Sequence, residues 1–584
     1  MRVKRRALKV MSAVMAAVMV AGCAGPASTK ATTGATGTTA ATTAAGTGNY
    51  DEPMTFDFYD VAANYQGTQA GWFAKVVKDK FNIELNMISP QVAGNGIYQT
   101  RCSTGNLGDI VLLERTDFTD CVKAGLIKDI TADIKNYPNL MSYQDQVDVL
   151  NKALPENKDG KIYGIPCQMT NTSPTAYSQD VIKSSPLLRW DLYSEQGCPD
   201  IKNTDDLLDL LEKMMKAHPT NKAGDPAYPL SLWSDWDGGD GMLGIANVTQ
   251  LTTWYGEIIK GSNILKPDHT FIPVNSKDGA YYKMLHFLNE ANRRGIVDPD
   301  SGTQDWNTAC DKMKTGRVYL MWYNWQTGFW NTQDRLKDGT AFIYTPIKDQ
   351  IYYADADTYY GSGRVFAVGS QVDGAKYQRI MDFLNWYASP EGLTYQHIGL
   401  KGFNYTVGSD GKYTYINDNA LMDNVTVPDE FGGGGFNDGN NAINQWVLDA
   451  ISTNPDTGEP YNKDYWSTYK AATMTQMKKD WAAKFGAAEP VDYMKKNNIL
   501  LISPNVSVSL PSDPADISII RNQCSALFSD YSWRMIYAKD DADFDSLWSE
   551  MCTQMDGMGF QELSKFDKEK YQIELDAKLA VDKK

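Results

Sequence analysis

Between Met54 and Leu113 the apolar residues change period several times, and no other feature restricts the fold as much. Met54-Thr55-Phe56-Asp57-Phe58-Tyr59 alternates with the two-residue period of a half-buried strand. A polar loop, 60–67, leads to Gln69–Lys80, where Trp72, Phe73, Val76 and Val77 share one face of a helix. Phe81 to Met87 alternates again. A further helix–strand unit reaches Gly108-Asp109-Ile110-Val111-Leu112-Leu113, a short apolar run that reads as a buried strand. This order predicts an α/β lobe with a largely parallel sheet. Ligands of such sheets sit beyond the carboxyl ends of the strands. Two loops are expected there, Tyr59-Asp60 through Tyr65 and Glu114-Arg115-Thr116.

The start of the chain has a different character. Arg2, Lys4, Arg5, Arg6 and Lys9 precede an apolar run of thirteen residues, Val10 to Gly22. Roughly 20 apolar residues are needed to span a bilayer, so residues 1–22 read as a secretory signal peptide. Val20-Ala21-Gly22-Cys23 resembles the bacterial lipobox. That resemblance implies a diacylated Cys23 as the first mature residue, and a protein held on the extracytoplasmic face of the cell membrane. The stretch after Cys23, Ala24 to Gly48, is almost entirely Ala, Thr, Gly and Ser with one charge, Lys30. It lacks the apolar content of a core and is expected to be a disordered tether. The rest of the chain has no second long apolar run, so the lipid would be its sole membrane attachment.

About 530 residues follow the tether, more than one ordinary core holds, which favours two lobes. The formal charge is −16, and without the five basic residues of the leader it is −21, from 51 basic and 72 acidic residues. Such a balance disfavours nucleic acid as a partner. Seven cysteines remain after Cys23, without CxxC or metal-ligand spacing, and an odd number cannot all pair; most are expected to be buried thiols. The four histidines, His218, His269, His286 and His397, form no metal motif. No GxSxG or Ser/Lys signature is present. Accordingly no catalytic residue, metal or cofactor is assigned. Fifteen Trp and 33 Tyr are more than a core usually needs. Their flat apolar faces and polar edges match the C–H faces and hydroxyl rims of sugars.

A set of motifs then runs in order along the chain. Gly108-Asp109-Ile110-Val111 precedes Cys121-Val122-Lys123-Ala124-Gly125-Leu126-Ile127-Lys128-Asp129-Ile130 and Asp159-Gly160-Lys161-Ile162-Tyr163-Gly164-Ile165-Pro166. Leu188-Arg189-Trp190-Asp191-Leu192, Thr204-Asp205-Asp206-Leu207, Arg294-Gly295-Ile296-Val297-Asp298-Pro299 and Gly316-Arg317-Val318-Tyr319-Leu320 follow, then Phe383 to Gly392 and Gly399 to Tyr405. Together they resemble the extracellular solute-binding protein family 1, in its large oligosaccharide-binding lipoprotein form. The resemblance implies a two-lobe, type II periplasmic-binding-protein-like α/β fold, with ligand in a hinged interlobe cleft. It implies a monomeric, non-enzymatic ABC-importer component that passes a sugar or oligosaccharide to permease subunits. The lobe limits that follow are 50–168 with 341–395, and 169–340 with 396–584. Large relatives often carry a calcium loop where this chain has His218 to Pro226; Asp225 is its single carboxylate, and calcium is expected to be lost.

Four segments suit a sugar cleft. Tyr59-Asp60 with Asn64-Tyr65 offers an acceptor and a stacking ring, and Trp233-Ser234-Asp235-Trp236-Asp237 offers a platform flanked by acceptors. Met321-Trp322-Tyr323-Asn324-Trp325 follows a strand, and Tyr359-Tyr360-Gly361-Ser362-Gly363-Arg364 brings a guanidinium fork. Glu114 and Gln168 are added by their positions after strand ends. Each Trp has core packing as its alternative, and Arg364 a structural ion pair. Gly432 to Gly435 reads as a flexible loop with the freedom of a lid. Peptide is the alternative ligand, and a surface glycoside hydrolase with two facing carboxylates the alternative activity.

Overall fold

The computed structural model describes residues 50–94, 96–155, 157, 159–238, 242–416, 426–436 and 443–582. The expected signal peptide, Cys23 and tether lie outside them.

The first core is built on a six-stranded sheet. Met54–Asp60 runs parallel to Ile83–Ile88 on one side and to Ile110–Glu114 on the other. Arg364–Val368 then joins Ile110–Glu114 antiparallel, and Gly164–Pro166 pairs antiparallel beyond it. The short strand Gly67–Thr68 closes the other edge against Ile83–Ile88. That edge explains why the first helix is Gly71–Phe81 and starts later than its apolar face suggests. Residues 67–69 are held in the sheet, with the Gln69 amide donating to Leu85 O at 2.8 Å. The helix ends where Asn82 turns left-handed, at φ 49°. Gly369 marks a close approach at the foot of the sheet, since a Cβ there would lie 2.0 Å from Gly108 O.

The second core surrounds an antiparallel sheet in which Ser184–Arg189 is central, between Leu320–Tyr323 and Phe342–Tyr344. Tyr352–Asp355 pairs in parallel with Leu500–Ser503. Helices Thr204–Ala217, Ala280–Arg293, Ala515–Ile536, Asp541–Gly557 and Phe560–Asp582 complete this half. Ala515–Ile536 and Phe560–Asp582 are pinned by a buried cluster: Arg521 makes a fork to Asp567 at 2.9 and 2.6 Å and also reaches Asp513 at 2.5 Å.

Core membership departs from the expected lobe limits in two places. Tyr405, Tyr413, Val427, Phe436, Val447, Tyr461 and Trp466 pack into the first core, while Phe342, Tyr344, Ile347 and Tyr352 pack into the second. Among the described residues of 396–466, Gln445 is tied to the helix Gly374–Tyr387, its carbonyl accepting from the Tyr387 hydroxyl. The glycine run is part of that packing. A Cβ on Gly432 would meet Trp72 Cα at 2.8 Å, and Phe436 stacks on Trp72 at 5.1 Å. This segment is a fitted turn against the first helix, which corrects the expectation of a lid.

Among the described residues the chain passes between the cores three times, between Met169 and Tyr177, Ala354 and Val365, and Trp466 and Met477. Buried Asp357 laces the first two passages, accepting from Thr172 Oγ1 at 3.1 Å, Ser178 N at 3.1 Å and Ser178 Oγ at 2.6 Å. An excursion after Ser503 joins them. Asn505 N donates to Pro174 O at 2.7 Å, and Asn505 Oδ1 accepts from Tyr360 N at 2.8 Å. Its next residues touch the first half, where Arg115 Nη1 donates to Ser507 Oγ at 2.6 Å.

Candidate functional site

On the first half, the carboxyl end of Ile110–Glu114 meets the start of Arg364–Val368. There Arg364 Nε donates to Glu114 at 2.7 Å and Nη1 to Gln445 at 3.0 Å. Asp60 lies close by and is fully buried. Its Oδ1 accepts from the amides of Ala62 at 2.7 Å and Ala63 at 3.0 Å, while Oδ2 has no partner. Burial raises the Asp60 carboxyl well above its ordinary range, against the opposing pull of these amides and of Arg364. Gln168, held at φ 51°, accepts from Ser362 Oγ at 2.6 Å. Tyr360 packs edge-on against Tyr359 at 4.9 Å. Asp60, Glu114, Gln168, Tyr360 and Arg364 are separate cleft candidates in the sequence, and the fold brings them to one end of the sheet. Asp60 serves the turn after its strand, and Tyr59 is buried beneath, beside Tyr98. Asn64 is exposed, and Tyr65 donates its hydroxyl to Thr68 O at 2.9 Å.

On the second half, aromatic rings form a two-tier wall. Trp233 and Trp322 stack at 5.2 Å with planes 2° apart, and both are almost fully buried. These two are the foundation and present no free face, which corrects their expected role as stacking platforms. Above them Trp236 and Trp306 sit 4.8 Å apart, and Trp325 contacts both, at 6.1 and 5.1 Å. Trp325 is 41 % exposed and stacks on Tyr323 at 5.2 Å. The neighbouring acids hold this wall in place. Asp235 accepts from Trp306 N at 2.9 Å. Asp237 accepts from Ala246 N and from Trp533 Nε1, both at 2.7 Å. With both Asp237 oxygens engaged, it acts as a brace for the Trp236 turn. Burial raises its carboxyl to about 6, despite those two donors.

A cavity of about 470 Å³ opens between the cores. Trp325, Asn324, Phe342, Tyr344 and Trp481 line one side, and Asn462, Asp464, Tyr465 and Lys470 the other. It therefore combines an exposed indole with amides, carboxylates and an ammonium. Lys470 is tied to Asp180 at 2.5 Å, beside Glu489, whose carboxyl is raised by burial and by Asp180.

The family model of bacterial extracellular solute-binding proteins matches residues 66–394, more than half of the chain. The chain belongs to that family. Membership places this solute-binding protein outside the cytoplasm, and the family and fold neighbours are binding proteins. No curated protein matches its sequence. Many solved structures share its fold, among them three with a TM-score of 0.56. The alginate-binding protein AlgQ2, solved without calcium ion, is 14 % identical, with 89 % of this chain and 98 % of that chain covered. A Bifidobacterium longum infantis solute-binding protein, described as HMO binding and ABC-transporter associated, is 15 % identical, over 90 % and 99 %. The S. pneumoniae ABC-transporter substrate-binding protein FusA, in complex with kestose, is 14 % identical, over 89 % and 99 %.

Several residues of this solute-binding protein at the two walls are invisible to local sequence reading. Trp306 joins the wall from a helix about seventy residues away, and Gln445, Tyr465 and Lys470 come from the segment after Ile398. Trp306 at the first position of a helix, behind the capping Asp305, was its one available signal. In the stretch from His218 to Pro226, Asn221 closes the turn. Its Oδ1 accepts from Ala223 N at 2.9 Å and Asp225 N at 2.8 Å, and its Nδ2 donates to Asp225 at 3.0 Å. Among the described residues no helix is long and apolar enough to cross a membrane, and no group of three or more His, Cys, Asp or Glu is arranged to hold a metal.

Proposed function

We propose that this protein captures a sugar or oligosaccharide between its lobes outside the cell and presents it to the permease of an ABC importer. The observation that carries the reading is the interlobe cavity, with the exposed Trp325 face beside amides and carboxylates. A ring face takes the C–H side of a sugar, and the acids and amides accept from its hydroxyls. The carbohydrate-linked names of the AlgQ2 and FusA structures agree with it. In this proposal Cys23 carries the lipid, residues 24–49 form the tether, and the receptor is monomeric. The lobes are taken as 50–168 with 356–470, and 177–355 with 477–582. Closure is the signal, so ligand must bind the closed form better than the open one.

The test is a thermal-shift screen of the protein against oligosaccharides, with peptides as controls, followed by calorimetry and recovery of the ligand. A ligand at a hundred times its Kd adds roughly 2.7 kcal/mol. A saturable shift with an intact glycan supports the reading. Cleavage of the glycan, or a response to peptides alone, overturns the assignment of a sugar receptor.

A further inference from the structure

Seven cysteines, Cys102, Cys121, Cys167, Cys198, Cys310, Cys524 and Cys552, are free thiols in this structure. Cys102 and Cys121 are neighbours. Cys102 lies one turn after Tyr98 in the helix Gly96–Ser103, so the two side chains share a face. The Tyr98 hydroxyl sits 3.4 Å from Cys121 Sγ. Cys121 is buried in the last turn of the helix Arg115–Lys123. Cys102 packs, half-buried, against the small core that holds Cys121, Tyr59 and Phe118, and its thiol adjoins that of Cys121. The helices that precede and follow the strand Ile110–Glu114 thus bring two sulfurs together.

We propose that Cys102 and Cys121 form a disulfide once the protein is outside the cytoplasm. Extracytoplasmic compartments sustain disulfides, and family membership puts the chain there. The oxidant is a second disulfide, from a small thiol such as glutathione or from a thiol–disulfide oxidoreductase. Cys102 is the solvent-reaching member and attacks first as the thiolate. One S–S bond breaks, a mixed disulfide forms at Cys102, and the first thiolate departs. Cys121 then loses its proton, attacks Cys102 Sγ, and expels the second thiolate. Two cysteine protons are released, and the oxidant is reduced to two thiols. Burial pushes the Cys121 thiol up to about 12, so it is the poorer nucleophile and reacts only once the neighbouring mixed disulfide is in place. The bond would close a loop over residues 103–120 and fix the strand end that carries Glu114, the partner of Arg364.

The experiment uses the full-length protein equilibrated with oxidised glutathione, then quenched in acid, denatured and alkylated without reduction. Trypsin cuts after Arg101, Arg115 and Lys123, which separates residues 102–115 from 116–123. The expected product is one species with the summed mass of both peptides less two hydrogens, resolved by dithiothreitol. Cys102→Ser should abolish that species and leave Cys121 alkylated. Because Cys121 is buried, its own replacement can unfold the chain, and the Cys102 variant keeps the test clean. Recovery of both wild-type peptides separately alkylated overturns the proposal. So does glutathione retained on Cys102 with Cys121 alkylated, or linkage of either cysteine to a third.

Discussion

His397 should make the first lobe sensitive to acid. It is half-buried, its Nε2 lies 2.9 Å from Leu448 O, and its ring meets Trp446 at 5.2 Å. Burial lowers the imidazole to about 4, from an ordinary 6.5. The folded protein therefore holds His397 neutral, with Nε2–H donating to the Leu448 carbonyl. Because the folded value is depressed, its stabilising effect is full above the unfolded value of 6.5. It is lost progressively as pH falls from 6.5 towards 4, where the unfolded chain binds the extra proton. The linkage amounts to about 2 kcal/mol at pH 5 and about 3 kcal/mol at pH 4. The same contact holds the segment whose Gln445 supports Arg364, so acid should loosen that wall as well. The assay is denaturant unfolding from pH 7.5 to 4.5 for wild type and His397→Gln. Their difference removes the contributions of other groups. The variant should be less stable at pH 7.5, and the gap should narrow by about 2 kcal/mol at pH 5. In parallel, the His397 ring resonance should stay unprotonated above pH 5. A gap that does not change with pH, or a His397 resonance that titrates near 6.5, refutes the reasoning.

Other outcomes follow from the same structure. Trp325→Ala should weaken glycan binding by about 0.5–1.5 kcal/mol beyond the lost contact area, with little change in stability, as read by calorimetry and melting. Trp322→Ala should instead cost about 3–5 kcal/mol of stability, because that ring is buried against Trp233. Asp567→Ala leaves Arg521 buried without its fork and should cost about 3–5 kcal/mol, measured by denaturant unfolding. Cys23→Ala should release the protein from membranes into the soluble fraction; retention on washed membranes would count against the anchor.

The first sheet is legible in the sequence because its parallel strands and intervening helices are close in the chain, and each keeps its own period. The second sheet is not, since Ser184–Arg189 pairs with strands more than 130 residues later, a distance that local pattern cannot bridge. The same reason separates the two tryptophan outcomes. Trp233, Trp236, Trp322 and Trp325 look equivalent as residues, and only the stacking of Trp233 on Trp322 decides which are covered. Trp306 and Gln445 acquire their roles through partners fixed by the fold, Asp235 and Arg364. Asp237 was readable as an acid beside a Trp, but its two donors, Ala246 and Trp533, are nine and 296 residues away.

The lacing of the passages by Asp357 and Asn505 has a mechanical consequence. Two bodies joined by one strand of chain can bend, twist and slide. Joined by three strands, two of them bound side by side, they resist torsion and shear, and rotation about the line of the strands remains the compliant coordinate. A receptor with one compliant coordinate carries one bit: open or shut. If closure is the signal, as proposed, a partner needs to measure only how far apart the two halves stand.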